Sequence, residues 1–151
     1  MLVQLDKITD EPFRWSEKRS IPAATLGRLD LAELEEVSWQ GEITRDRPGF
    51  RLEGRLDYDQ TVACSRCLAP IVQHVESPIE LIVLVGEPEP TVGEVELKES
   101  DLSTVFLDDD QLDLEPILME QLQLNIPMRL LCSEDCAGLC PTCGQNLNDG
   151  A

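Results

Sequence analysis

Apolar and polar residues alternate through much of the first half of this chain, a period of two that predicts β-structure. Phe50, Leu52, Gly54 and Leu56 interleave with Arg51, Glu53, Arg55 and Asp57, the pattern of a half-buried strand. Before them, Trp39, Gly41, Ile43 and Arg45 mark a strand that reaches a turn at Arg47-Pro48-Gly49. Residues 61–64 start another extended run, and residues 71–75 and 79–85 come after Pro70 and Pro78 as two more. Consecutive strands with short connections predict an antiparallel meander, either open or closed into a barrel-like sheet. Leu2, Val3 and Leu5 fit a short first strand, Pro12 and Pro22 punctuate the segment after it, and residues 105–107 return one short strand late in the chain.

The period lengthens in two places. Residues 30–37 (DLAELEEV) predict a short helix, with Asp30 as its cap, Glu33 as capping-box partner and Leu31, Leu34 and Val37 at helical spacing. Residues 113–125 predict a longer one, capped by Asp113, with Leu114, Ile117, Leu118, Leu122 and Leu124 or Asn125 on one side. Pro116 fits its first turn, where a missing N–H costs nothing, and Pro127 limits its continuation. Between strands and helix, residues 86–101 are polar, acidic and proline-containing, which predicts a surface loop. The fold class expected is α+β: a mainly antiparallel sheet, one C-terminal helix and a Cys-rich zinc-binding tail.

Composition bounds this picture. The chain has 151 residues, the size of one ordinary domain, with an apolar fraction of 42% and few aromatic residues, so the core should be mostly Leu, Val and Ile. The single domain reads as an N-terminal segment (1–36), a β-rich region (37–107), the helix (113–125) and a Cys-rich tail (131–148). No basic, apolar and small-residue signal opens the chain, and no apolar run is long enough to span a bilayer, so a soluble cytoplasmic protein is expected. The net charge is −18, and residues 76–120 hold fourteen acids against Lys98 alone. Such a surface repels phosphate backbones, which bind through Lys and Arg, and suits a strongly basic partner.

Six cysteines supply the candidate chemistry. Cys64 and Cys67 stand as a central C-x2-C pair; Cys132, Cys136, Cys140 and Cys143 crowd the tail. In a reducing compartment, thiols at this spacing point to metal ligands or redox groups rather than structural disulfides. A C-x2-C turn lets two thiolates converge on one ion, and two such pairs make the tetrahedral sulfur set that Zn²⁺ takes. One structural zinc ion held by four of the six is expected, and three partitions are open. Cys64 and Cys67 can join Cys140 and Cys143, they can join Cys132 and Cys136, or the four tail cysteines can form a local site. Joining the central pair to two tail cysteines is favoured, because it anchors the C-terminal segment to the sheet.

Catalysis finds little support. His74, the single histidine, lies in a strand-like run and reads as a surface or packing residue. Four thiolates would close a zinc site to water. A thiol-based redox or sulfur-handling activity of the two cysteines outside the site is one alternative. A direct RNA-binding module, in which Arg45, Arg47, Arg51, Arg55 and Arg66 gather on one sheet face, is the other.

The cysteine elements also carry a resemblance. The C-x-R-C-L element (Cys64, Arg66, Cys67, Leu68) and the tail residues Cys132, Cys136, Gly138, Leu139, Cys140, Pro141, Cys143, Gly144, Asn146, Leu147 and Asn148 are similar to the YceD family of bacterial large-subunit ribosomal RNA accumulation proteins, which has plastid relatives. The resemblance covers residues 41–148. It implies a role in 23S ribosomal RNA accumulation or processing during large-subunit assembly, with no established enzymatic activity. Family members are often encoded beside a small basic ribosomal protein, which implies a basic large-subunit protein or a pre-ribosomal particle as the partner of the acidic surface.

Overall fold

A computed structural model describes residues 1–87, 96 and 103–150. Among them are eight strands and one α-helix: β1 (Leu2–Gln4), β2 (Phe13–Arg19), β3 (Leu31–Leu34), β4 (Val37–Asp46), β5 (Gly49–Ala63), β6 (Pro70–Val85), β7 (Thr104–Leu107), β8 (Gln111–Asp113) and α1 (Leu114–Leu124). β2, β4, β5, β6 and β7 lie side by side in one sheet, β3 pairs with β5 as well, and β1 and β8 form a separate two-stranded pair. The sheet is open: among the described residues, no pairing closes it into a barrel. The meander expected from sequence is present as β4, β5 and β6, all antiparallel. The short late strand exists too, but β7 runs parallel to β6, with Ile82 opposite Thr104.

Two of the strands are longer than their punctuation suggests. Residues 50–57 and 61–63 belong to the single 15-residue strand β5, with Cys64 just past its end, and Pro78 sits inside the 16-residue β6 rather than starting a new strand. Its neighbour β7 meets only residues Ile82 to Val85 of β6. Pro78 therefore lies where the far edge of β6 carries no partner among the described residues, and its missing N–H breaks no ladder.

The expected helix at residues 30–37 is a strand and the start of another. β4 covers β5 only from Gly49 to Asp57, which leaves the rest of that edge with unpaired backbone groups. β3 fills it, with Leu31 opposite Val62 and Leu34 opposite Gln60. A sequence this short is a marginal helix on its own, so pairing with an open edge overrides its propensity. Asp30 is not a cap: its carboxylate accepts from Arg28 at 2.9 and 2.7 Å, and its carbonyl accepts the Ala63 N–H.

One face of the sheet makes the core. Trp39, Ile43, Leu52, Leu56, Val62 and Val83 are almost fully buried there, and Leu114, Leu118 and Leu122 of α1 share their cluster. Aromatic residues are few, yet both tryptophans are central: Trp15 and Trp39 meet edge to face, with ring centroids 5.5 Å apart. The Trp15 ring lies over the cross-strand glycine pair Gly41 and Gly54, and a Cβ on Gly41 would come within 2.6 Å of it.

Helix α1 has the boundaries and cap read from sequence. Asp113 Oδ1 accepts the Glu115 N–H at 3.1 Å, and Asn125 is the C-cap. Its ends are tied to the sheet by polar contacts. Arg19 of β2 grips Glu115 through two 3.0 Å hydrogen bonds. Buried Gln60 of β5 donates to the Asn125 carbonyl at 3.2 Å. From Asn125 the chain returns to the far end of the β5–β6 hairpin, where the tail begins. Most of the acidic loop expected at residues 86–101 lies outside the described residues.

Candidate metal centre

The hairpin between β5 and β6 supplies the first half of the site. Ala63 pairs with Pro70 as its last rung. Beyond that rung the chain turns tightly, the Cys64 N–H donating to the Ala69 carbonyl at 2.8 Å and the Leu68 N–H to the Cys64 carbonyl at 3.0 Å. Leu68 takes the left-handed conformation at φ 60°, an uncommon choice for a β-carbon residue that closes this turn. The turn folds backbone N–H groups over a sulfur: Arg66 N–H lies 3.5 Å from Cys64 Sγ.

The tail supplies the second half. Ser65 N–H donates to the Leu130 carbonyl at 2.8 Å, and Leu130 N–H to Ser65 Oγ at 3.2 Å, so the chain is pinned beside the hairpin just before Cys132. Cys132 N–H then reaches Cys64 Sγ at 3.4 Å. Arg66 crosses from the hairpin to hold the Cys136 carbonyl at 2.9 Å. Gly138, at φ +79°, passes close to the Arg66 backbone, where a Cβ would sit 3.3 Å from its carbonyl oxygen.

These contacts bring the sulfurs of Cys64, Cys67, Cys132 and Cys136 within 4.8 Å of one another. Cys64 and Cys136 are 3.8 Å apart, Cys67 and Cys132 3.6 Å. Four sulfurs at about 2.3 Å from a tetrahedral ion stand about 3.8 Å apart along each edge. The spacing therefore fits one ion, while a disulfide would need about 2.05 Å. Cys64, Cys67 and Cys136 are buried; Cys132 is exposed.

The electrostatics of the group point the same way. Cys67 and Arg66 N–H groups, with help from Cys132, bring the Cys64 thiol down to about 6 against the effect of burial. The Asn148 amide, donating to its sulfur at 3.4 Å, lowers Cys136. The thiols of Cys136 and Cys67 push Cys132 up to about 12. Cys67 is also raised: the Ala69 N–H favours its thiolate, but burial and the neighbouring thiols outweigh it. Hydrogen bonds thus favour the thiolates of Cys64 and Cys136, while crowding disfavours those of Cys67 and Cys132. A cation at the centre removes that conflict, because its charge makes all four thiolates favourable.

Cys140 and Cys143 stand apart from this set. Leu139 bridges to Asn146, the Cys140 N–H donates to the Gln145 carbonyl at 2.8 Å, and the Gly144 N–H to the Cys140 carbonyl at 2.8 Å, which makes a tight hairpin of its own. Neither the partition with Cys140 and Cys143 nor the all-tail partition matches this placement. Cys64 and Cys67 face Cys132 and Cys136.

From sequence, Arg66 has a place only in the C-x-R-C-L element and in the RNA-binding alternative, and Asn148 none beyond the motif. Both instead support the cluster, and the C-terminal N-L-N run shows why: Asn146 Oδ1 accepts both the N–H and the amide of Asn148, which aims that amide at Cys136. The basic face that the RNA-binding alternative requires does not form. Arg45 is opposite Phe50 and Arg51 opposite Thr44, and paired residues share a face, so the turn puts Arg45 on the core side and Arg51 on the outer side. On that outer face Arg14 meets Glu42 at 2.9 Å, Arg51 meets Glu80 at 2.7 Å and Arg55 meets Glu76 at 2.8 Å. His74 is exposed there and bonds Asp59 at 2.7 Å. Asp57, His74 and Glu76 also approach one another, but within this lattice of ion pairs. Among the described residues, no helix is long and apolar enough to cross a membrane.

Comparison with known proteins draws these features together. The family model for the large ribosomal RNA subunit accumulation protein YceD matches residues 52–151, the stretch that holds all six cysteines. A chloroplastic YCED homolog 1 of Zea mays is 28% identical over 129 residues, which is 71% of this chain and 44% of the maize protein. An uncharacterized protein of Mycobacterium tuberculosis (strain ATCC 25618 / H37Rv) is 33% identical over 81 residues, 54% of this chain and 37% of that one. The uncharacterized YlbN of Bacillus subtilis (strain 168) is 21% identical over 146 residues, covering 96% of this chain and 80% of its own. The match thus spans less than half the length of the maize and Mycobacterium tuberculosis relatives, and no solved structure matches the chain. With the family model matched from β5 through the cysteine tail, this chain belongs to the YceD family of large ribosomal RNA subunit accumulation proteins.

Proposed function

We propose that this chain is a non-enzymatic, zinc-binding factor of large ribosomal subunit assembly that supports 23S ribosomal RNA accumulation by binding a basic large-subunit protein. The family name supports the setting, as does that of the maize relative. The observation that carries the mode of action is the state of the outer sheet face, where Arg14, Arg51 and Arg55 are each engaged by a carboxylate. Cations already paired within the protein have little to offer phosphates, and the remaining surface charge is strongly negative, at −18 for the chain. A basic protein, by contrast, would be drawn to it and released by salt. Zinc in the four-thiolate site is structural, since no ligand position remains for water, and it fastens the tail to the hairpin.

The test pairs the purified, zinc-loaded protein with basic large-subunit ribosomal proteins and with bare 23S ribosomal RNA, at low and high salt. Salt-sensitive capture of a basic protein is the expected result. Binding to the RNA alone would overturn the reading of the partner.

A further inference from the structure

The hairpin that carries Cys140 and Cys143 is not explained by the four-sulfur cluster or by an acidic docking face. Its turn, Cys140-Pro141-Thr142-Cys143, closes through the Gly144 N–H to the Cys140 carbonyl, with Gly144 at φ +74°, and its base is clamped by the Cys140 N–H to Gln145 and the Leu147 N–H to Gly138, at 2.8 and 2.9 Å. The clamp fixes both thiols at the outside of a short loop. Cys143 is exposed and Cys140 half-buried, whereas three of the four clustered cysteines are buried. The Cys143 and Thr142 backbone and the Cys143 thiol favour the Cys140 thiolate, which holds Cys140 below the ordinary thiol range. Among the described residues, no histidine, carboxylate or further cysteine stands with this pair to complete a metal site.

We infer that Cys140 and Cys143 form a solvent-facing dithiol that undergoes thiol–disulfide exchange with low-molecular-weight disulfides, independently of the four-cysteine cluster. Cys140 is the attacking sulfur. Its thiolate displaces one thiolate from the small disulfide and forms a mixed disulfide, and the Cys143 thiol, losing its proton to solvent, then attacks Cys140 Sγ and releases the second thiolate. The dithiol loses two electrons and two protons, the small disulfide gains the two electrons, and the released thiolates take up protons according to pH. Selectivity comes from access and from the backbone that favours the Cys140 thiolate; in the cluster three thiols are buried, and coordination would protect all four from the same attack.

The experiment treats the full-length, zinc-loaded protein with oxidised glutathione and maps every cysteine by mass spectrometry, with zinc measured in parallel. An internal disulfide between Cys140 and Cys143, with zinc retained, is the expected result. Cys143→Ser should instead accumulate a glutathione adduct on Cys140, at a rate about tenfold above that at Cys143 in Cys140→Ser. Both positions lie in a surface loop, and circular dichroism checks that each variant stays folded. The inference is overturned by a disulfide that maps to Cys64, Cys67, Cys132 or Cys136, or by equal reactivity of the two single variants. It is equally overturned by unreactive thiols, or by a second bound ion that shields Cys140 and Cys143. Loss of the basic partner in the salt-dependent capture leaves it untouched, so the two readings fail separately.

Discussion

At the level of single residues, the molecule separates six chemically identical thiols into two populations by what surrounds each sulfur. Cys64, Cys67, Cys132 and Cys136 converge, and replacing Cys64 and Cys67 together with Ser should lower bound zinc by one ion per chain in native mass spectrometry. Replacing Cys140 and Cys143 should leave the zinc content unchanged. Arg66 and Asn148 touch the cluster without belonging to it, one on the Cys136 carbonyl and one on its sulfur. Their replacement by Ala should weaken zinc binding by about tenfold to a hundredfold in a competition with a chromogenic chelator, as loss of supporting hydrogen bonds does in other metal sites. His74 offers a separate residue-scale check. Its hydrogen bond to Asp59 raises it above the usual histidine range, so the pair contributes below the ordinary histidine pKa of about 6.5 and fades as pH rises through the higher folded value. An NMR titration of His74 should move back toward the ordinary range in Asp59→Asn.

Among the elements, what was legible in the sequence was whatever is decided locally. The period-two run from Phe50, the turn at Arg47-Pro48-Gly49 and the Asp113 cap each depend on residues close in sequence, and each stands where the pattern puts it. Residues 30–37 fail because their partner, the second half of β5, is remote, and an open edge has no local signature. β2 is missing from the expected elements, although Phe13 and Trp15 alternate there with Arg14 and Ser16. The cysteine spacing left three partitions open; only the packing of the tail against the hairpin, through Ser65 and Arg66, brings one of those sets together. Two substitutions test how the elements are joined. Gly41→Ala places a methyl within 2.6 Å of the Trp15 ring and of the Glu53 carbonyl, and should cost about 1–3 kcal/mol in urea unfolding. Leu118→Ala, fully buried between helix and sheet, should cost about 2–5 kcal/mol without altering zinc content.

For the molecule as a whole, stability is divided unevenly. β5 is paired along both edges and faces a large apolar cluster, whereas the tail after Leu130 has few buried apolar residues and depends on the sulfur cluster. Chelation should therefore raise hydrogen exchange across residues 130–148 while β5 stays protected, because local opening follows local packing. Simultaneous loss of protection in β5 would show that the ion supports the entire domain.

The two halves of the sulfur cluster lie far apart along the chain, with Cys64 and Cys136 separated by 72 positions. During synthesis the hairpin end of the sheet is made first and must wait, with Cys64 and Cys67 uncoordinated, until the ribosome has released the tail. Capture of the proposed metal would then be among the last events of maturation, and a chain halted before Cys132 would carry only half of the four-cysteine cluster.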